Sequence, residues 1–494
     1  MTTTTSPAPA GSTPAFSKAP GTDNRRGRLL AVVLAAQFMA PLDTFIVNVA
    51  APTIRTELHA SGAGLQLVIA GYTITYAVLL ITGARLGERI GHRRVYLGGL
   101  AVFTAASLAC GLAQSTGELI AFRLVQGAGA AVLIPQVLSL IQRNFAGEAR
   151  VKALGAYSAV LAIGAAAGQV LGGILVSADL FGTSWRPVFL VNVPVGLVLL
   201  VMAVRVLPHD DDGEDGRRGE RAAGPARELD LPGLVLLGAA VSLFTVPLVL
   251  GQEADWPLWS WLSMAAAVVL FVLFCAYESR LARRGGAPLI APRVLRTPGI
   301  GLAVFRIAAG MAVNAGFLFA LTLHLQGGLG YSPLRAGLTF APTAVVFGVV
   351  GLVWRRWPEP LQRVLIPGGF VLTAVSTAAV GLLLRDGGDG GPWLYVALVG
   401  VGGGLSLGFG PTLTRALAGV RAEDAADSSG LLATVTQLGQ LTGVACFGAL
   451  FFNRLESQGA PGAYSSGNAL LVCFYALASV AALGAVSGLV RMRR

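Results

Sequence analysis

Charge is scarce in this sequence: 12% of its 494 residues are Asp, Glu, Lys or Arg, against about 25% in soluble domains. With 54% hydrophobic residues and a mean hydropathy of +0.69, the chain has too little polar surface for a water-soluble globule. Lysine is almost missing, with only Lys18 and Lys152. Neither follows a glycine, so there is no Gly-Lys phosphate loop and a single-chain ATP-driven pump is excluded. The four cysteines (Cys110, Cys275, Cys446, Cys473) all fall in apolar segments, which reads as packing and implies no disulfide framework. The four histidines (His59, His92, His209, His324) are scattered. No metal site follows from them, nor the one-sided catalytic cluster that a membrane enzyme would need. The first 24 residues, rich in Thr, Ser, Pro and Ala, carry no apolar run. Residues 1–27 are therefore expected to be a disordered cytoplasmic tail without a cleavable signal peptide.

Long apolar segments are abundant. A spanning helix needs roughly 20 apolar residues, and candidates lie at 28–54, 65–86, 95–114, 117–142, 151–178 and 187–207. Two more follow at 231–251 and 257–279, then six at 298–326, 332–354, 364–385, 392–414, 428–452 and 467–490. The expectation is an all-α integral membrane protein with fourteen transmembrane helices. It divides into an N-terminal six-helix bundle (28–207), a charged cytoplasmic linker (208–230), two linker helices with a cytoplasmic loop (231–297) and a C-terminal six-helix bundle (298–494). With the N-terminus placed inside, Lys and Arg concentrate in the inside tails and loops. The exceptions are Arg55, Arg186, Arg335, Arg385 and Arg454 outside, and Arg123 and Arg306 within spans. Both termini are thus expected in the cytoplasm. This asymmetry accounts for the net charge of +11 without nucleic acid.

A weak repeat relates the two bundles. "GARLGERIGHRRVYLGG" (Gly83 to Gly99) is echoed by "GLVWRRWPEPLQRVLIPGG" (Gly351 to Gly369), and "GAGAAVLIP" (Gly127 to Pro135) by "GGLSLGFGP" (Gly403 to Pro411). Parallel six-helix repeats around a central site are a transporter architecture. The motifs narrow this further. "LDTFIVNVAAPTI" in the first span, "LIAFRLVQGAGAA" in the fourth, "WRPVFLVNVPVG" (Trp185 to Gly196) and "LQGGLGYSPLRAGLTFAP" (Leu325 to Pro342) occur in that order. As a set they resemble the fourteen-helix drug:proton antiporter family of the major facilitator superfamily, over essentially the whole chain after the tail. The second-to-third loop, "ARLGERIGHRR", is similar to that superfamily's gating motif. Arg89, Gly91, Arg93 and Arg94 are in place, but Ala84 replaces a glycine and Glu88 an aspartate. The fifth span resembles the antiporter motif through Gly164, Gly168, Gly172 and Gly173, with Gln169 where the motif has proline. Those glycines suit close helix packing. Whether they also act in gating is left open, and the usual proline kink is in doubt.

Asp43 is the one acid deep inside a span. It lies roughly 10 Å beneath the outer end of the first helix, and Arg123 lies roughly 9 Å beneath the same face. Pairing would lower the cost of burying both, and the proton affinity of the acid would then depend on the distance to the arginine. Two readings stay open, a proton-coupling switch or a structural ion pair, and the resemblance favours coupling. Gln37, Thr44 and Asn48 form one polar stripe on the first helix, expected to face a watery cavity. Gln126 and the mid-helix Asn314 are further cavity candidates. Arg306, Gly310, Val313, Phe317 and His324 share a face of the ninth span. Arg306 could snorkel to the cytoplasmic side and His324 sits near the outer end, so a surface role is expected of both rather than a proton relay, and both are also candidates for the substrate cavity.

The resemblance implies a proton-coupled antiporter in the bacterial cytoplasmic membrane, exporting amphipathic drugs or antibiotics by alternating access. Its expected partners are such substrates, protons and the bilayer, the proton gradient replacing any cofactor, and the expected state is monomeric. A dedicated exporter of one self-made natural product is the alternative; a membrane enzyme is the remaining rival.

Overall fold

Helix follows helix along the described residues because the apolar segments leave backbone groups no partner but their own turn. The structure, a computed structural model, describes residues 20–208, 230–253, 256–286, 288–289, 292–418, 425–458 and 462–489. The N-terminal half contains α1 (Pro20–Glu57), α2 (Gly62–Ile90), α3 (His92–Leu112), α4 (Thr116–Asn144) and α5 (Gly147–Ala178). It closes with a short α6 (Pro187–Leu190) and α7 (Asn192–Val206). Between the halves lie α8 (Leu231–Glu253), α9 (Leu258–Arg283) and the short α10 (Pro292–Leu295). The C-terminal half holds α11 (Ile300–Leu323), α12 (Pro333–Val353), α13 (Glu359–Leu383), α14 (Gly391–Ala418), α15 (Ala425–Glu456) and α16 (Ala463–Leu489).

Among the described residues, twelve helices are long and apolar enough to cross a membrane. Two shorter apolar stretches, Ala167–Ala178 in α5 and Leu231–Pro247 in α8, accompany them. Two boundaries differ from expectation. Helix α1 already begins at Pro20, inside the segment expected to be tail, and the sixth span passes from α6 to α7 through a turn at Val191 whose backbone stays helical (φ −59°, ψ −29°). The rest of the tail and nearly all of the 208–230 linker lie outside the described residues.

Within the N-terminal half α4 packs on α2 and α3, and α1 on α5; within the other, α13 packs on α14 and α16, and α11 on α15. The halves meet along α5–α12 and α2–α15, and α8 lies against both α2 and α15. Gly91, the single residue between α2 and α3, has φ 102°, a conformation open to glycine alone without strain.

The apolar cores show how the halves are arranged. At the face where α1 ends, called here the far face, one cluster joins Ile46, Val47 and Ile54 to Phe317, Phe319 and Phe451 of the other half. At the near face the cores are separate. One holds Leu29, Val33, Leu100 and Ile141, the other Ile300, Ile307 and Leu432. Among the described residues, Ala433 of α15 touches the first of these from across the divide, and a further cluster joins Ala70 and Ile74 of α2 to Leu441 of α15 through Leu237 and Phe274 of α8 and α9. Apolar side chains also face outward along α9, with Trp261, Val268 and Val272 each more than half exposed. In water such a surface would be a large uncovered patch, and it suits acyl chains.

Candidate functional site

The centre of the N-terminal half is polar and closed. Asp43 on α1 is 0% exposed and Arg123 on α4 is 1% exposed. Arg123 Nη1 donates to Asp43 Oδ2 at 2.5 Å. Asp43 Oδ1 accepts from Gln126 Nε2 at 2.7 Å and from Asn192 Nδ2 at 2.9 Å. Gln126 also accepts from Arg123 Nη1 at 2.6 Å, and its Nε2 donates to Ser107 Oγ at 2.8 Å. The guanidinium is steadied by Nε donating to the Val68 carbonyl at 3.2 Å. The rings of Tyr72 and Phe189 lie 4.5 Å and 5.6 Å from it, a cation–π environment for a desolvated charge. Each carboxylate oxygen therefore has charge-assisted or amide donors, the condition for holding an ion away from water.

Glycines make this proximity possible. A side chain at Gly127 would land on the Tyr72 carbonyl and Thr75 Oγ1 of α2, and one at Gly129 would lie 2.7 Å from the Phe103 nitrogen of α3. Helix α4 can sit deep between those neighbours only because both positions lack a Cβ. The α5 glycines work in the same way. Gly164 and Gly168 meet Pro41 and Leu42 of α1, Gly172 meets Ile46, and Gly173 meets Pro333 and Leu334 of α12. Helix α5 runs unbroken over its 32 residues without the motif's proline. Gln169 is 2% exposed and neither of its amide atoms has a partner.

A cleft between the halves opens beside the ion pair. Its polar walls are Thr44 and Asn48 of α1, Thr73 of α2, Asn314 of α11 and Gln440 of α15, interleaved with Phe45 and Leu318. No charged side chain lines it. Asp43 is one residue behind its wall, next to Thr44.

The structure thus brings Asp43 to Arg123 and sets Thr44, Asn48 and Asn314 on the cleft. The other cavity expectations need correction. Gln126 is buried in the Asp43 network instead of lining the cleft, because its amide is drawn to the carboxylate. Gln37 is buried on α1 away from the cleft, with Oε1 unpartnered. The shared face of α11 exists, but it packs on α13 and α16. Gly310 meets Phe370 and Phe317 stacks on Phe474 at 5.1 Å. Arg306 bonds to Ser487, Nε to Oγ at 3.2 Å and Nη2 to the carbonyl. His324 Nδ1 lies 2.9 Å from Ser466 Oγ. Neither is a surface residue: they are 3% and 0% exposed. In the gating loop, Glu88 and Arg89 are exposed, and no ion pair of Glu88 is found among the described residues. Arg93 Nη2 donates to the Val204 carbonyl of α7 at 2.8 Å.

Sequence reasoning missed Asn192, Ser107, Thr73 and Gln440. Asn192, in the apolar run "VFLVNVPVG", and Gln440, within the span 428–452, carried a signal as amides inside apolar segments. A serine or threonine bonding within an apolar helix leaves no such mark.

Comparison with known proteins agrees across the chain. The profile of the Major Facilitator Superfamily matches residues 33–444. A probable actinorhodin transporter of Streptomyces coelicolor is 39% identical over 445 residues, covering 88% of this chain and 74% of its own. The cephamycin export protein CmcT of Amycolatopsis lactamdurans is 40% identical over 426 residues, 84% of this chain and 83% of its own. Among solved structures, a bacterial homologue of the human lysosomal transporter Spinster, inward-facing and unoccupied, matches with a TM-score of 0.64 at 17% identity. That match covers 96% of this chain and 97% of the other, and at such identity it speaks for the fold alone.

Proposed function

This chain belongs to the Major Facilitator Superfamily, and from that membership we propose that it exports an antibiotic-like small molecule in exchange for protons. The relatives named for actinorhodin and cephamycin export support this direction and favour a dedicated natural-product substrate over a broad drug panel. The setting is the cytoplasmic membrane of a bacterium, with fourteen spans, both termini cytoplasmic and a single chain as the working unit. The far face is then the outside. The halves share their core there and part at the cytoplasmic face, so the described state corresponds to an inward-open one.

The observation that carries the coupling is the Asp43 network. Protonation of Asp43 would remove the charge that holds Arg123 Nη1. The neutral acid need not be left unpaired. Asn192 Oδ1 has no partner, and a half-turn of that amide would let it accept the new proton. The guanidinium would keep Gln126 Oε1 and the Val68 carbonyl. Two protonation states are thus both hydrogen-bonded, with different ties between α1, α4 and α7. Such a difference is what lets a proton bias one conformation over another. No cofactor enters the scheme.

The uncharged lining of the cleft supports one substrate class over another. Amides and hydroxyls with an aromatic wall suit neutral, zwitterionic or anionic aromatic molecules. A dication would lose its hydration without a free carboxylate to replace it. In a host lacking its own pumps, expression should raise resistance to aromatic neutral or anionic antibiotics and leave sensitivity to matched dications unchanged. Protection against the dications alone would contradict this reading of the cleft.

The gating loop belongs with this proposal. Glu88 would find a cationic or helix-terminal partner only when the cytoplasmic mouth closes. Glu88→Ala should therefore slow turnover severalfold with little change in KM. A raised KM at full turnover would assign Glu88 to binding instead.

A further inference from the structure

The outer face holds a second cavity, of about 590 Å3, between the ends of the two halves. Arg55 and His59 line it from the end of α1, Phe452 from α15, Gly327 and Gly328 from the segment after α11, and Ser466 from α16. No carboxylate lines it. The Arg55 guanidinium lies 5.0 Å above the Phe452 ring.

Immediately behind this wall is His324. Here α11 widens into a π-helical turn, His324–Gly328, with the Leu329 N–H donating to the His324 carbonyl at 2.9 Å. Such turns interrupt helices at a cost and concentrate at functional places. The imidazole is 0% exposed, its Nδ1 lies 2.9 Å from Ser466 Oγ, and its Nε2 has no partner among the described residues. Ser466 Oγ is also 3.2 Å from the Ala463 carbonyl. If the hydroxyl donates to that carbonyl, Nδ1 must donate to Ser466 and Nε2 is a bare lone pair. If the hydroxyl donates to Nδ1, Nε2 carries an unaccepted hydrogen. An imidazolium would be worse than either tautomer, since it adds a buried charge and still leaves one N–H unaccepted.

Among the described residues no charged side chain bonds to the ring. The segment Ala463–Leu489 of α16 contains no Asp, Glu, Lys or Arg. Helix α12 offers Arg335, whose guanidinium sits 3.6 Å over the Tyr331 ring. Beyond α16, Arg385 and Asp386 pair with each other at 3.7 Å. Across the cavity stand Arg55 and His59, and α15 ends in Arg454 and Glu456. The same turn carries a bond that ties the mouth shut: Gln326 Nε2 donates to the Val49 carbonyl of α1 at 2.9 Å. Gly327, Gly328 and the left-handed Gly330 (φ 66°) follow, a segment able to re-fold its backbone.

We propose that His324 is a second proton-binding site, on the C-terminal half, whose protonated form belongs to the state with the outer mouth open. The mouth closes on the neutral ring. A proton arriving from outside through the cavity and Ser466 makes the closed packing untenable, releases the π-helical turn and with it the Gln326–Val49 tie. Acid outside thereby biases the transporter outward. The site rests on the transporter reading for what the mouth serves, and its test does not require transport.

The test is electron–electron distance measurement in nanodiscs, between nitroxides at Glu57→Cys and Ser457→Cys with the native cysteines replaced. Both positions are exposed at the outer ends of α1 and α15. Acidification from about pH 8 to about pH 5 spans the range in which histidine changes charge, and the long-distance population should rise about threefold or more. His324→Gln should remove that response, and His324→Arg, whose guanidinium stays protonated when buried, should hold the mouth open at every pH. The proposal is overturned if His324→Gln responds as the parent does, or if the parent does not respond. A pH response in a protein whose export ignores the proton gradient would sink the antiporter reading and leave this site standing.

Discussion

Asp43→Asn is expected to abolish gradient-driven export while the protein still reaches the membrane folded. The two consequences separate because the amide keeps the shape and an acceptor oxygen but cannot titrate. Arg123 would retain that oxygen, Gln126 Oε1 at 2.6 Å, the Val68 carbonyl at 3.2 Å and two aromatic faces. A guanidinium so surrounded is not orphaned, so the cost of losing the opposite charge is partly offset. Coupling has no such substitute, since no other acid lies in the described network. The measurement is export from preloaded cells, normalised to monodisperse protein recovered in detergent. A fall of about a hundredfold or more is expected for a step that needs the titrating group. If folded Asp43→Asn protein exports at the parental rate, the ion pair is structural only.

Arg123→Gln should act in the opposite way and cost the fold. Removing the cation leaves a carboxylate with 0% exposure among neutral donors, and breaking a buried pair from one side typically costs about 3–5 kcal/mol. The Tyr72 and Phe189 faces would also lose the charge that they accommodate. We expect little monodisperse protein and a clearly lowered Tm. The double variant Asp43→Asn with Arg123→Gln should regain much of the stability, since no buried charge remains, and should stay inactive. Full stability of the single Arg123→Gln variant would show that the carboxylate is protonated or hydrated in the folded protein.

The sequence carried the depth of these two charges but not their company. Matching Asp43 to Arg123 needed only the rise of a helix and the order of the spans. Helical spacing put Thr44 and Asn48 on an inner face, though also Gln37, which is buried off the cleft, and Asn314 was placed by its mid-helix depth. Helical spacing says which residues share a face; it does not say what covers that face. The face of α11 carrying Arg306, Phe317 and His324 was legible, but its covering by α13 and α16 was not, so both basic residues were expected at a surface that they do not reach. Gln126 is the reverse case. It lies on a helix that borders the centre, and a carboxylate from α1 draws it out of the cleft. Asn192 bonds to Asp43 from the first residue of α7, and the apolar pattern of 187–207 does not reveal which neighbour its amide meets. The glycines were legible as sites of close approach. Only the structure separates those that seat α5 on α1 from Gly173, which meets the other half.

The central claim is exchange of substrate for protons, and one measurement addresses it most directly. In everted vesicles with an acid lumen, export corresponds to uptake into the lumen. The substrate should accumulate only while the pH gradient lasts, and adding it should raise the luminal pH, in the parent protein and not in Asp43→Asn. Accumulation that persists after a protonophore collapses the gradient, or acidification of the lumen as substrate enters, would contradict proton-coupled antiport.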